Sequence, residues 1–417
     1  MDQADKTRIT ELNIKKIRRD FPVLSQKVYG RRLVYFDNGA TTQKPIRVIE
    51  KINQLHRRYN SNVHRGIHFL SSWMTEQYEV ARQRVQKFIN APSPEEVIFT
   101  SGVTGSLNLA AYSFTEAYLK KDDEIIISEM EHHSNLVPWQ IACQKKGARL
   151  KVIPFNERGE LLLDEYKKLL NAKTKLVAVT HVSNSLGTVN PIKEMVALAH
   201  AQNIPVLVDG AQAIQHAQID VQDLDCDFYA FSGHKVYGPT GTGVLYGKRQ
   251  WLDQLPPYQS GGDMIDRVSF EHTTYDDLPF KFEAGTPNYI GAIGLGEALE
   301  YLSELGLDNI RHYENKLLEY ATAKLTAVPG LKLYGTARDK ICIFSFLLDD
   351  LQPYDVGTLL DRQGIAVRTG LHCTHPIWAH YGTEGSVRAS LVFYNTFDEV
   401  DYLCQSLQKI RQLVKIK

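Results

Sequence analysis

The sequence predicts an α/β protein, and three observations carry that expectation. From about Val28 to Gly247, short apolar runs alternate with longer amphipathic stretches. The runs are rich in Val, Ile and aromatic residues, and each is bounded by Gly, Asp, Ser or Asn. They are apolar throughout instead of alternating with polar residues, as strands of a mostly parallel sheet buried on both faces must be.

Taken in order, the chain opens with Leu12, Ile14 and Ile17 among charges between Thr10 and Asp20, a short amphipathic helix that ends before Phe21-Pro22. The apolar runs follow as "EVIFTSG", "DEIIISE", "LVAVTHVSN", "PVLVDGAQ", "FYAFSGHK" and "TGVLYG", each read as a strand separated from the next by a helical segment. After Gly285-Thr286-Pro287 the pattern turns helical through "GAIGLGEALEYLSEL" and "IRHYENKLLEYATAKL". "KICIFSFLL" then reads as a strand, and "YDVGTLLDRQG" and "EVDYLCQSLQKIRQLVKI" as helices. A chain of 417 residues exceeds one small core, so the pattern divides into a large domain over 28-299 and a smaller α+β domain made of 1-27 with 300-417.

Lys plus Arg and Asp plus Glu both count 48, so no bulk charge draws the chain to nucleic acid or to an anionic membrane, and a small-molecule partner is expected. The five cysteines, Cys143, Cys226, Cys342, Cys373 and Cys404, are scattered, odd in number and without CxxC spacing. That argues against a disulfide framework and for a reducing cytoplasm. The charged start "MDQADKTRITELNIKKIRRDFP" lacks the apolar centre of a signal peptide, and no later stretch is apolar for the thickness of a bilayer.

In sheets of this kind ligands bind beyond the carboxyl ends of the strands, so the residues after each apolar run sample one site. After "EVIFT" come Ser101-Gly102-Val103-Thr104-Gly105, small residues that let backbone N–H groups at a helix start approach a phosphate. Later runs deliver His132 and His133, then His181-Val182-Ser183-Asn184, then Asp209 with Gln212, then Ser232, His234 and Lys235. Taken singly, a helix cap or a solvated loop accounts for most of these. Together they have the parts to hold pyridoxal phosphate: Lys235 as Schiff base, Asp209 on the pyridine nitrogen, His132 stacked on the ring, and Gln212 on the ring oxygen. Thr104, Ser232 and His234 are then the phosphate ligands.

"DGAQ" and "SGHKVYGPTGTGVLY", with "MEHHSNLVPW", "THVSNSLGT", "VHRGIH", "FEAGTPN" and "VRTGLHC", resemble a Suf-type (group II) cysteine desulfurase of the class V aminotransferase-like, fold type I pyridoxal phosphate enzymes. The resemblance runs from "FPVLS" to the last helix. It implies conversion of L-cysteine to L-alanine with a persulfide left on Cys373, as a sulfur supply for iron–sulfur cluster assembly. It also implies Asn184 and Arg388 on the substrate carboxylate, with Arg368 on the same side, and Thr286 on the phosphate of the neighbouring subunit of a homodimer. A sulfur acceptor of the Suf pathway, SufE-like or SufU-like, is implied as partner.

Cys373 is the discriminating residue. It sits in a loop beside His372, Thr374, His375 and Pro376, where imidazoles and Arg368 favour the thiolate, the form that attacks sulfur. A metal site from His372, Cys373 and His375 lacks a fourth ligand, so no metal is expected. Two departures stand out. Leu371-His372-Cys373-Thr374 replaces the His-His-Cys-Ala of relatives, and "SGVTGSLN" replaces a Thr-Thr-Glu run. The competing readings are selenocysteine lyase, which relies less on Cys373, a fold-related aminotransferase or epimerase that does not need it, and a cofactor- or metal-binding scaffold without turnover. His132 is open to two roles, ring stacking and acid–base transfer.

Overall fold

The computed structural model describes residues 11–415. Its centre is a seven-stranded sheet in the spatial order Val97–Thr100, Gly243–Gly247, Phe228–Ser232, Val206–Asp209, Thr174–Thr180, Glu124–Ser128, Arg149–Ile153. Only Gly243–Gly247 runs antiparallel to its neighbours, and the remaining pairings are parallel. All six apolar runs are therefore strands of one sheet. Successive side chains divide between two cores: Ile126, Val177, Val206, Val208 and Val244 enter one, and Ile125, Ile127, Leu176, Leu207 and Leu245 the other. Helices cover both faces, and each fully buried aliphatic side chain contributes about 1.5–3 kcal/mol.

A four-stranded antiparallel sheet forms from Leu331–Tyr334, Ile343–Leu348, Ser386–Ser390 and Arg368–Gly370. The helices Leu307–Thr326, Pro353–Asp361 and Phe397–Lys415 share a core with it. The N-terminal segment is shorter than its pattern suggests: the helix is Ile14–Ile17, continued by a 3-10 turn at Arg18–Asp20, and Thr10 lies outside the described residues. Asn13 caps it by accepting from Lys16 N–H at 3.1 Å. A short strand, Val34–Tyr35, pairs in parallel with Ile365–Ala366 and carries residues 37–44 toward the ends of the large sheet. No helix among the described residues is long and apolar enough to cross a membrane.

Candidate active site

The parallel strands share one direction, so their carboxyl ends open on one edge. There a cavity of about 680 Å³ is lined by Thr104, His132, Asn184, Ser232, His234, Lys235, Arg368, Cys373 and Arg388, among others. Most of the residues expected from strand ends thus meet in one space.

Lys235 follows the strand Phe228–Ser232 on a tight 3-10 turn, Gly233–Lys235. The turn is held from outside the strand. The His234 carbonyl accepts from Thr42 N–H at 3.1 Å, Thr41 Oγ1 at 3.0 Å and Lys44 Nζ at 3.0 Å. Thr42 Oγ1 in turn accepts from Tyr237 N–H at 2.9 Å. Lys235 is only 9% exposed, and burial pushes its amine down to about 8, with the Arg388 charge adding to the shift and Asp209 opposing it. Such an amine is far more available as a nucleophile and base near neutral pH than an ordinary lysine, though most of it still carries a proton there.

Asp209 ends its strand beside Thr180 on one side and Ala230 on the other, and its Oδ1 accepts from Ala211 N–H at 2.9 Å. Burial raises its carboxyl, and the Lys235 charge works against that shift. Gly210 must be glycine here, because a Cβ would lie 2.1 Å from the Tyr229 ring. Gln212 lies outside the cavity lining; its Nε2 donates to Gly39 O at 2.6 Å, and its Oε1 is buried without a partner.

The phosphate-type turn takes the form its small residues suggest. Gly102 has φ +138°, a region closed to other residues, and precedes the helix Val103–Tyr118. Ser232 Oγ accepts from Val103 N–H at 2.7 Å, tying the first turn of that helix to the lysine strand. A Cβ on Gly243 would sit 2.4 Å from Gly102 Cα, so the antiparallel strand presses the turn into place. Burial, then Lys235 and Lys44, hold the His234 ring down at about 4, so it offers a neutral imidazole to the cavity.

Opposite lie two arginines. Arg368 and Arg388 are directly paired across adjacent antiparallel strands, an unfavourable placement for like charges. Asp37 lies between them, accepting from Arg368 Nε at 3.1 Å and Arg388 Nη2 at 3.3 Å. Arg388 is 2% exposed and donates through Nη1 to the Asn184 carbonyl at 2.9 Å, while its buried Nε has no partner. Burial pushes this guanidinium down to about 10, the mark of a cation short of anionic partners. A carboxylate is the group that would complete it.

Cys373 is the one exposed cysteine among the five, on a turn closed by Thr374 N–H to Leu371 O at 2.9 Å. His372 and Cys373 both have left-handed φ, +49° and +59°, the signature of a primed tight turn. Non-glycine residues there cost on the order of 1–3 kcal/mol each, so the turn needs outside support. Asn184 Nδ2 donates to His372 O at 2.8 Å, His133 N–H to Cys373 O at 2.9 Å, and Ser185 and Thr374 hydroxyls meet at 2.7 Å. His133 and His375 stack beside it with Nε2 and Nδ1 2.8 Å apart. One expectation fails. His372 does not lend positive charge to the thiol: its Nε2 is tied to Ser386 Oγ at 2.9 Å, and burial holds the ring down at about 2, so it is neutral.

Thr286 is exposed and outside the cavity of this chain. The motif around it is anchored by Glu283, whose Oε1 accepts from Phe99 N–H and Arg82 Nη1, both at 2.7 Å, and whose Oε2 accepts from Tyr78 at 2.8 Å. Among the described residues no group of three or more His, Cys, Asp or Glu side chains is placed to hold a metal ion.

The strand-end reading missed Asp37, Gly39 and the Thr41-Thr42 pair. Their signal is the run "LVYFDNGATT", a short apolar strand followed by Asp-Asn-Gly, which the same rule would have sampled. It also passed over Glu131, which is fully buried behind His132.

A family model for class-V aminotransferases matches residues 34–403. A cysteine desulfurase of Escherichia coli is 52% identical over 96% of this chain and 99% of its own length. One from Synechococcus elongatus is 51% identical over 96% of this chain, which spans 64% of that longer relative. Among solved structures, the apo cysteine desulfurase of Thermococcus onnurineus NA1 superposes with a TM-score of 0.91 at 37% identity, covering 97% of this chain and 98% of that one. The E. coli cysteine desulfurase CsdA in an S-sulfonic acid form gives 0.89 at 37% identity, covering 97% and 100%. With a buried lysine at a strand end, an anion turn and an exposed thiol around one cavity, the chain belongs to the class-V aminotransferase family and, within it, to the cysteine desulfurases.

Proposed function

We propose that this chain works as a pyridoxal phosphate-dependent cysteine desulfurase of the Suf type, taking sulfur from L-cysteine onto Cys373 and releasing L-alanine. The observation that carries this reading is the presence of Cys373, Lys235 and Arg388 on the walls of one cavity. The donor set fits the cofactor: a glycine-shaped helix start for its phosphate, a buried amine for its aldehyde, and a buried carboxylate for its ring nitrogen.

When bound, pyridoxal phosphate supplies an electron sink for charge left at the substrate α-carbon. Lys235 would hold the cofactor and, when free as an amine, would take the substrate α-proton. Asp209 would keep the ring nitrogen protonated and His132 would stack on the ring, while Gln212, whose Nε2 is given to Gly39 O, would have to release that bond to donate to the ring oxygen. Thr104, Ser232 and His234 would hold the phosphate, with Thr286 reaching it from a second copy. Arg388 binds the substrate carboxylate, supported by Arg368 and Asn184. The Cys373 thiolate then forms a bond to the substrate sulfur as the sulfur–carbon bond breaks, its electron pair staying with the three-carbon fragment, which takes up protons to become alanine. His132 Nδ1 accepts from Ser134 N–H at 3.1 Å, so its neutral ring carries hydrogen on Nε2, the atom left for proton transfer.

The sites fall on two bodies in this reading, a large domain over 28-299 and a small domain of 1-27 with 300-417. The setting is cytoplasmic, with the sulfur passing to iron–sulfur cluster assembly. Neither nucleic acid nor membrane has a role. Active holoenzyme is expected to sediment as a homodimer, because Thr286 is exposed and does not line its own cavity; a fully active monomer would refute this.

The Cys373 turn is held by Asn184 and His133 on its two carbonyls, so in this reading an acceptor comes to it. Release of alanine from L-cysteine is therefore expected to rise more with a SufE-like or SufU-like acceptor protein than with a small reductant at equal thiol concentration. Equal stimulation would remove the partner from the account. Selenocysteine, run beside cysteine, is expected to be turned over too, since selenium leaves more readily.

A further inference from the structure

Glu131 lies immediately before His132, is 1% exposed, and takes no part in the chemistry described above. Its two oxygens are each claimed by a donor whose direction is fixed. Oε1 accepts from the Thr180 backbone N–H at 3.0 Å and also meets Ser128 Oγ in a very short contact. Oε2 accepts from Asn135 Nδ2 at 2.7 Å. Asn135 cannot turn over to offer its oxygen instead, because that oxygen accepts from Trp139 Nε1 at 3.1 Å. Thr180 stands opposite Asp209 in the strand register, and Asn135 N–H closes back onto the His132 carbonyl at 2.8 Å. One side chain thus ties the end of the strand beside Asp209 to the helix turn that presents His132.

We propose that Glu131 is a positioning residue for the desulfurase reaction, its buried carboxyl fixing the His132 ring and the Asp209 strand end in one frame. A carboxyl is required because both of its atoms must accept from immovable N–H groups; a glutamine amide can satisfy only one of them. Burial raises the Glu131 carboxyl to about 8 against the pull of its hydrogen bonds, and the Asp209 charge pushes the same way. A neutral Glu131 spares Asp209, whose carboxyl burial already raises, a second buried negative charge close by.

The test is a swap in the holoenzyme. Glu131→Gln turns an amide N–H against Asn135 Nδ2. Asn135→Asp sets two carboxyls face to face. Each single variant is expected to lower kcat on the order of tenfold to a hundredfold, the scale on which small misplacements of reacting groups act, with KM for cysteine little changed. Each is also expected to shift the pH titration of the cofactor's visible absorbance. The double variant Glu131→Gln with Asn135→Asp restores complementarity: the introduced carboxylate accepts from both the introduced amide and Trp139. It is expected to return kcat and the absorbance titration close to wild type. A Glu131→Gln enzyme with wild-type kcat and titration would overturn the proposal, and so would a double variant no better than the worse single. If a single variant does not fold, the double alone decides. The activity arm rests on the desulfurase reading, but the absorbance arm does not: loss and rescue of the titration without any cysteine turnover would uphold the positioning role and sink that reading instead.

Discussion

Lys235→Ala is expected to lose the covalently held cofactor's absorbance and cysteine turnover together, with the rate falling about 10³-fold or more, since removal of a general base alone typically costs 10²–10⁴-fold. The cause is local. Lys235 is the one lysine lining the cavity, and burial among Arg388 and Asp209 sets its amine near neutral pH. Lys44 is half-buried and its amine is also pushed down to about 8, but its Nζ is committed to the His234 carbonyl at 3.0 Å, so it cannot take over. The His234 carbonyl stays held by Thr41 and Thr42 in the variant, so the turn is expected to keep its shape. Absorbance spectra and alanine release on the purified variant check this. Turnover at the wild-type rate would leave the assignment of Lys235 without support.

Cys373→Ala is expected to separate the two halves of the reaction. Cofactor absorbance, and its change when cysteine is added, should remain as in the wild type, because Lys235, Asp209 and Arg388 are untouched. Sulfur release should fall at least on the order of 10³-fold, the scale of deleting an activated nucleophile. No other cysteine can replace it: Cys143, Cys226, Cys342 and Cys404 are buried, and burial raises each of their thiols. Alanine and sulfide measured in the same reaction decide the matter. Unchanged activity would move the chain to the lyase reading, in which the thiol is dispensable.

How far the sequence could be read follows from the physics of each element. The strands from Val97–Thr100 to Gly243–Gly247 were legible because strands buried on both faces must be apolar throughout. Arg149–Ile153 was not, because this strand, one of the two at the sheet's edges, is mostly exposed or half-buried and so lacks a continuous apolar run. The gathering of most strand-end residues around one cavity was legible because parallel strands deliver their carboxyl ends to one edge whatever lies between them. The arginine pair was not. Its arrangement depends on the register Arg368 to Arg388 and on Asp37, which is brought in from more than three hundred residues away in sequence by pairing with Ser390. The charge state of His372 was equally hidden: a histidine beside a cysteine reads as a source of positive charge, and only its burial against Ser386 and Trp378 reveals it as neutral. The same holds for Glu131, an acidic residue in a loop motif until its donors are seen.

The central claim is that sulfur leaves cysteine by passing onto Cys373. The most direct measurement is a single turnover of holoenzyme with L-cysteine and no acceptor, followed by mass analysis of the Cys373 peptide against alanine released. One added sulfur atom is expected on Cys373 for each alanine formed. Alanine formed in the same amount with Cys373 unmodified, or with the sulfur on another cysteine, would contradict it.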